Sequence, residues 1–239
     1  MGKSLVKKED MTAKKKLRKI ITRQEQMSEA LFLNLILAFS GGFQDAYTYI
    51  VRDNVFANAQ TGNVVLMSTY LMQGLWQRGL MYLFPLFSFM AGIFISDNVG
   101  FYYRNAKKIH WRQGIVAVEA LIMLIAAFLP QSLNMLCNCL ISFACALQVQ
   151  SFKKVHGNAY ASTMCIGNLR SGVVSFSRYL KTRDIRDIRK AGDYFAVIVT
   201  FAIGAGIGGN LSKLYMEKTI LGSFVLLIIC SFLMDLDKD

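Results

Sequence analysis

The chain has 239 residues, of which 54% are hydrophobic and 18% charged, and its mean hydropathy is +0.38. Soluble domains carry about 25% charged residues, so this composition argues against a soluble globular protein. The apolar runs are continuous and do not alternate with polar residues, which argues against an outer-membrane barrel. We therefore predict an all-α fold, a polytopic bundle of membrane helices.

The net charge of +12 raises the question of nucleic-acid binding. Cytoplasmic loops of membrane proteins collect Lys and Arg, and this explanation is the stronger one. We expect the lipid bilayer as a partner and no nucleic acid. Residues 1–27 are predicted to be a basic cytoplasmic N-terminal segment, and their run 14–23 can lie on an anionic membrane surface.

Six apolar segments are close to the 20 or so residues that a helix needs to cross the hydrocarbon core. Two further segments hold small and polar residues, and each either crosses or enters and leaves on one side. The six are 30–51, 80–103, 113–130, 133–152, 194–212 and 218–234, and the two are 56–74 and 159–177.

Basic residues favour the second option for the two polar segments. If all eight segments cross, with the N-terminus inside, the basic stretches 104–112 and 153–156 lie outside, against the positive-inside rule. If the two polar segments do not cross, those stretches and the run 177–190 are all cytoplasmic. We predict six spans plus two membrane-dipping segments, with a cytoplasmic N-terminus; an overall flip of the topology stays open.

The chain also resembles itself. Segment 39–63 aligns with 143–168, and 88–98 aligns with 200–210, with the basic loop 177–193 as the main insertion. Three crossings in each half invert the second half relative to the first, an arrangement recurrent in transporters. We predict two inverted-topology repeats, 28–130 and 131–235. The matched pairs include Phe39/Phe143, Gln44/Gln148, Asn54/Asn158, Gly62/Gly167, Asn63/Asn168 and Gly92/Gly204.

The two Gly-Asn pairs are candidate substrate-binding residues, because inversion brings them in from opposite faces towards the midplane. Asn offers donors and an acceptor, Gly allows close backbone approach, and helix N-termini favour an anion or a polar oxygen. The alternative is close packing between helices. The predicted site consists of Thr61, Gly62, Asn63, Gly167, Asn168, Asp45 and Arg170.

Asp45 and Arg170 are the charged members of this site. A carboxylate within a span points to function, and Asp45 could carry a proton or bind a cation; alternatively it lies at the outer interface. Arg170 either faces a cavity or extends to the cytoplasmic headgroups. Glu119 and Asp97 are predicted to be interfacial, and Gly204 and Gly208 to serve close helix packing.

The stretches "SGGFQDAYTYI" and "VFANAQTGNVVLMS", with a weaker second "GNL", resemble the YoaK family of bacterial inner-membrane proteins, a domain of unknown function. The resemblance covers about residues 28–235 and implies a multi-span helical fold in the bacterial cytoplasmic membrane. The second copy departs from the pattern, because Ile166 stands where similar proteins tend to have Thr. In this sequence, the residues that match the first motif pair of the family are Gly41, Gly42, Asp45, Ala46, Thr61, Gly62 and Asn63.

Two functions fit these observations. The first is a transporter or channel for a small polar or anionic solute, bound between the two repeats. The second is a non-catalytic membrane assembly or interaction protein. An enzyme is not expected, because there is no HExxH, no paired carboxylates and no Ser/His set. The five cysteines lie in apolar runs and are expected to be inert, so we predict no metal and no cofactor; a homo-oligomer stays open.

Overall fold

A computed structural model describes residues 31–103, 111–156 and 158–235. Within these residues the fold is helical, apart from a small antiparallel hairpin of β1 (Lys154–Val155) and β2 (Asn158–Ala159). The all-α prediction is confirmed. The helices are α1 (Leu31–Val51), α2 (Gln60–Met72), α3 (Trp76–Tyr103), α4 (Trp111–Ala126), α5 (Asn134–Ser151), α6 (Cys165–Thr182), α7 (Ile185–Tyr215) and α8 (Leu221–Asp235), with 3-10 turns at Gln131–Leu133 and Met216–Ile220.

Long apolar helices identify the chain as a membrane protein. Among the described residues, three helical stretches are long and apolar enough to cross a bilayer: Trp76–Tyr103, Gln131–Ser151 and Ile185–Met234, the last containing both α7 and α8. The six predicted spans coincide with α1, α3, α4, α5, α7 and α8, whose ends differ from the predicted ones by up to nine residues. The predicted N-terminal segment 1–27 lies outside the described residues, as do positions 104–110.

The two polar segments each form irregular chain followed by a helix. α2 has 13 residues and is about 20 Å long, shorter than the roughly 30 Å hydrocarbon core. α6 continues to Thr182, so most of the basic stretch 177–193, predicted as a loop, is helical. The reason is local: the Asp184 side chain accepts a hydrogen bond from the Arg186 backbone N–H at 2.9 Å and caps the start of α7.

The helices pack in two matching sets. α1 packs on α7, and α3 packs on α5; α2 lies against α3, and α6 against α7. α4 contacts α5 and α8, and α8 also contacts α1. If α1–α4 are exchanged in order with α5–α8, each of these contacts corresponds to a contact in the same set.

Contacts between named residues give the helix directions. The Arg52 carbonyl accepts from Asn138 Nδ2 at 2.8 Å, and the Cys145 thiol donates to Gln44 Oε1 at 2.8 Å. As the residue number increases along α1, the residue that it contacts on α5 has a lower number. These two helices are therefore antiparallel. α1 and α7 are parallel, because Gly204 faces Phe39 and Gly208 faces Phe43.

Glycines make the closest helix contacts. A Cβ on Gly204 would overlap the Phe39 carbonyl oxygen, and a Cβ on Gly92 would lie 2.6 Å from the Phe143 carbonyl oxygen. Both members of these contacts, Phe39/Phe143 and Gly92/Gly204, are pairs in the repeat alignment. The predicted packing role of Gly204 and Gly208 is confirmed, since only the missing side chain lets the backbones approach this closely.

We expect Gly204→Ala and Gly92→Ala each to destabilise the protein by about 1–3 kcal/mol, because the new methyl group must push two helix backbones apart. Gly206→Ala is the matched control, since its Cβ would meet nothing within 4 Å. Alanine favours the helix by up to about 1 kcal/mol there, so the control should be neutral or stabilised. Thermal unfolding of the purified variants in detergent measures the difference, and equal melting temperatures for Gly204→Ala and Gly206→Ala would contradict it.

Candidate functional site

The two Gly-Asn motifs share one local structure. Asn63 Oδ1 accepts from the Phe56 backbone N–H at 2.9 Å, and its Nδ2 donates to the Phe56 carbonyl at 2.7 Å. Asn168 binds Ala161 in the same way, accepting at 3.4 Å and donating at 2.6 Å. In each motif a buried asparagine on the first turn of a helix thus holds the chain seven residues earlier.

This geometry places the predicted residues of the two motifs at the starts of two different helices, α2 and α6. Thr61, Gly167 and Arg170 are exposed on the first turns of α2 and α6. Among the described residues, no hydrogen bond joins Asn63 to Asn168, and both amides are occupied by their own backbone. A direct role of these residues in solute binding stays a prediction.

The irregular chains that precede α2 and α6 do meet at the middle of α1. Asn58 donates from its backbone N–H to Asp45 Oδ1 at 2.6 Å, and from Nδ2 to the Gly41 carbonyl at 3.3 Å. From the other side, the Thr163 methyl group reaches Gly41 so closely that a Cβ there would overlap it. Asp45 is buried, not interfacial, and its carboxylate lies against the amides that lead into α2, a site suited to an anion.

Next to this meeting point lies a network that we call the central polar cluster. Gln44 Nε2 donates to Glu119 Oε1 at 3.2 Å and to Ser223 Oγ at 2.8 Å. With its amide oriented to satisfy both neighbours, Gln148 donates to the two Glu119 oxygens at 2.9 and 3.3 Å and accepts from Ser162 Oγ at 2.9 Å. The cluster consists of Ser40, Gln44, Glu119, Cys145, Gln148, Ser162 and Ser223.

Glu119 is the charged centre of this cluster. Its relative exposure is 0%, and among the described residues no Lys, Arg or His forms an ion pair with it. The interfacial placement predicted for Glu119 is wrong, because α4 buries it against α1, α5 and α8; Asp97, which was predicted likewise, is exposed. Two signals were available in the sequence: a lone acid within segment 113–130, and the match of Gln44 with Gln148.

A second buried charge, which the sequence analysis did not predict, lies where α1 ends. Arg52 is fully buried and donates to the carbonyls of Ala126 at 3.0 Å and Leu129 at 2.9 Å, and to Asn134 Oδ1 at 2.8 Å. Ala126 is the last residue of α4, whose C-terminal end carries partial negative charge and favours a cation, and Leu129 lies in the connection to α5. Arg52 thereby ties α1 to the α4–α5 connection.

A small cavity lies outside the central polar cluster. A cavity of about 10 Å³, room for about one water molecule, lies beside the hairpin and is lined by none of the central polar cluster. Within the described ranges, no three His, Cys, Asp or Glu side chains come together as metal ligands. The cavity is lined by Val155, Asn158, Tyr160, Lys190, Asp193, Tyr194 and Val197.

Comparison with known proteins identifies a family but no function. A family model described as "Protein of unknown function (DUF1275)" matches residues 33–233, from α1 into α8. No curated protein and no solved structure gives a significant match. The expectation of an uncharacterised domain is confirmed, and the YoaK name stays a prediction.

We expect Asn63→Ala and Asn168→Ala each to lower stability by about 1–3 kcal/mol, because each leaves a backbone N–H and carbonyl without their partner. Asn210→Ala is the control: its exposed side chain makes one bond, to the Gly206 carbonyl. Melting temperatures in detergent provide the measurement. If the asparagines served only to contact a solute, all three variants would be as stable as the wild type. That result would contradict the structural role.

Proposed function

We propose a transport function for this chain, which belongs to the DUF1275 family of proteins of unknown function, and we base it on the site alone. The protein moves a small polar or anionic solute across the bacterial cytoplasmic membrane, and proton binding at Glu119 is coupled to that movement. The observation that carries this proposal is that Glu119 is buried between two glutamines that the repeat alignment matches, with no cation paired to it among the described residues.

The proposed architecture has six spans, α1, α3, α4, α5, α7 and α8, arranged as two inverted repeats with the N-terminus in the cytoplasm. Three observations support it. α1 and α5, the first helices of the two halves, are antiparallel. The main helix contacts, such as α1 on α7 with α3 on α5, and α2 on α3 with α6 on α7, correspond when the halves are exchanged. The glycine–carbonyl contacts of Gly92 and Gly204 occupy matched positions. Transporters built from such repeats place their sites at the repeat interface near the midplane.

Glu119 has the chemistry of a coupling group. A buried carboxylate without a cation costs several kcal/mol, and a proton removes that charge. Gln44 comes from the first half and Gln148 from the second, so the carboxyl group contacts both. A movement of one half against the other changes these contacts and the access of water, and with them the free energy of holding the proton. Asp45, by contrast, is stabilised by the amides before α2, and a coupling role for it is the weaker proposal.

The solute would enter between the two irregular chains. Asn58 and Thr163 approach α1 from the two sides: Asn58 donates its side-chain amide to the Gly41 carbonyl, and Thr163 places its methyl group against Gly41. Thr61 and Gly167, exposed on the first turns of α2 and α6, are candidates for contacts on the way in. An anionic or neutral polar solute suits the amide-rich surroundings.

A second candidate, a non-catalytic assembly or interaction protein, has its own support. Asn63 and Asn168 are engaged by their own backbone, and the cavity beside the hairpin holds about one water molecule. A protein of this kind needs neither a solute site nor a proton-binding group. It would be recovered from membranes with a stoichiometric partner.

The test is proton flux in proteoliposomes that contain a pH-sensitive dye, with sulfate, succinate or alanine added outside. The wild type should change the internal pH with at least one of these solutes. Glu119→Gln should reduce the flux to that of protein-free vesicles, because the amide cannot bind the coupled proton. Asp97→Asn, which removes an exposed carboxylate, is the control and should keep it.

Melting temperatures of both variants establish that each is folded. Solute-driven proton flux that persists in Glu119→Gln would contradict the coupling role. No flux with any solute, together with a stoichiometric partner in membrane extracts, would favour the assembly protein.

A further inference from the structure

Helix α6 has three distinct faces. Its buried face, Asn168, Gly172 and Ser175, packs on α7, and Gly172 lies against the side chains of Tyr194 and Phe195. A second face is apolar and exposed. It consists of Ile166, Leu169, Val173, Phe176 and Leu180, which recur at the three- and four-residue spacing of one helix side.

The third face of α6 is basic. Arg170, Arg178 and Lys181 are exposed on the side that adjoins the apolar face, and the structure gives them no acidic partner among the described residues. The nearest acid that does form an ion pair, Asp184, is engaged by Arg186 at 2.7 Å. The Arg186 side chain also holds the pKa of Asp184 below its usual value, so this acid stays charged and committed to Arg186.

This charge is confined to one of the two matched helices. Residues 165–190 contain seven Lys or Arg and two Asp, a net charge of +5. The matched stretch 60–85 contains Arg78 alone, and α2 itself carries no charge. The repeat architecture therefore does not require basic residues at this place.

A helix with an exposed apolar face and an adjoining basic face fits the boundary between acyl chains and headgroups. The apolar side chains reach the acyl region, and the cations reach the phosphate level, where long Arg and Lys side chains extend. Each basic residue near an anionic surface raises the affinity for that surface roughly fivefold. An acidic protein or a nucleic acid would match the cations but leave the apolar face in water.

We infer that α6 and the first turns of α7 form a binding surface for anionic phospholipid headgroups. Arg170, Arg178 and Lys181 contact the phosphates, and the apolar face of α6 contacts the adjoining acyl chains. The inference does not depend on transport at the central polar cluster.

The experiment compares lipids retained by the purified full-length protein. Native mass spectrometry counts phosphatidylglycerol and phosphatidylcholine bound from an equimolar mixture in detergent. The wild type should bind more phosphatidylglycerol than phosphatidylcholine. In the variant Arg170→Gln/Arg178→Gln/Lys181→Gln this ratio should be at least about tenfold smaller. The control Arg78→Gln/Lys213→Gln/Lys218→Gln removes three exposed cations outside α6 and should keep it.

Two further arms keep the inference falsifiable if the triple variant does not fold. For the wild type, the preference should vanish in about 1 M salt, where the screening length is about 3 Å. Inorganic phosphate, added as a competitor at low salt and matched ionic strength, should not displace the lipid.

Four outcomes would each overturn the inference: equal retention of both lipids by the wild type, an unchanged preference in the folded triple variant, persistence of the preference in high salt, or displacement of the lipid by phosphate. Glu119→Gln should keep the lipid preference, so this inference and the transport proposal fail separately.

Discussion

A carboxyl group that is buried where two sets of four helices meet, and that pairs with no cation among the described residues, is the most demanding feature of this structure. Glu119 has a relative exposure of 0%, and a buried polar atom that lacks a hydrogen bond costs free energy. Glu119 finds Gln44 on α1 and Gln148 on α5, and the serines and Cys145 around them complete the hydrogen bonds. The antiparallel α1 and α5 bring these glutamines to the same place, so the chemistry of the centre depends on the direction of the helices.

The same requirement explains the two polar motifs. A chain that changes from irregular to helical exposes backbone N–H and carbonyl groups that lipid cannot satisfy. Asn63 and Asn168 each satisfy one N–H and one carbonyl, seven residues upstream. An asparagine suits this task, since one planar amide presents an acceptor and a donor side by side. The identical bond in both halves gives the Gly-Asn repeat a structural basis independent of any ligand.

The sequence predicted the features that depend on local composition. Apolar runs located the helices. The aligned pairs Phe39/Phe143 and Gly92/Gly204 take part in corresponding glycine–carbonyl contacts, where close packing restricts the residue type. The ends of α6 and α7 were missed, since Asp184 as a helix cap outweighed the basic charge that indicated a loop. The burial of Glu119 and Arg52 was also missed. Whether a charge near the end of an apolar run faces headgroups or the interior depends on the neighbouring helices, which no local pattern reveals.

Arg52 holds the C-terminal end of α1 against the neighbouring helices. Its buried guanidinium is solvated by the carbonyls of Ala126, at the end of α4, and of Leu129, in the connection to α5. Parting α1 from this connection would leave the guanidinium among apolar groups without these partners, which is costly. A movement of the helices that leaves the C-terminal end of α1 beside the α4–α5 connection avoids this cost.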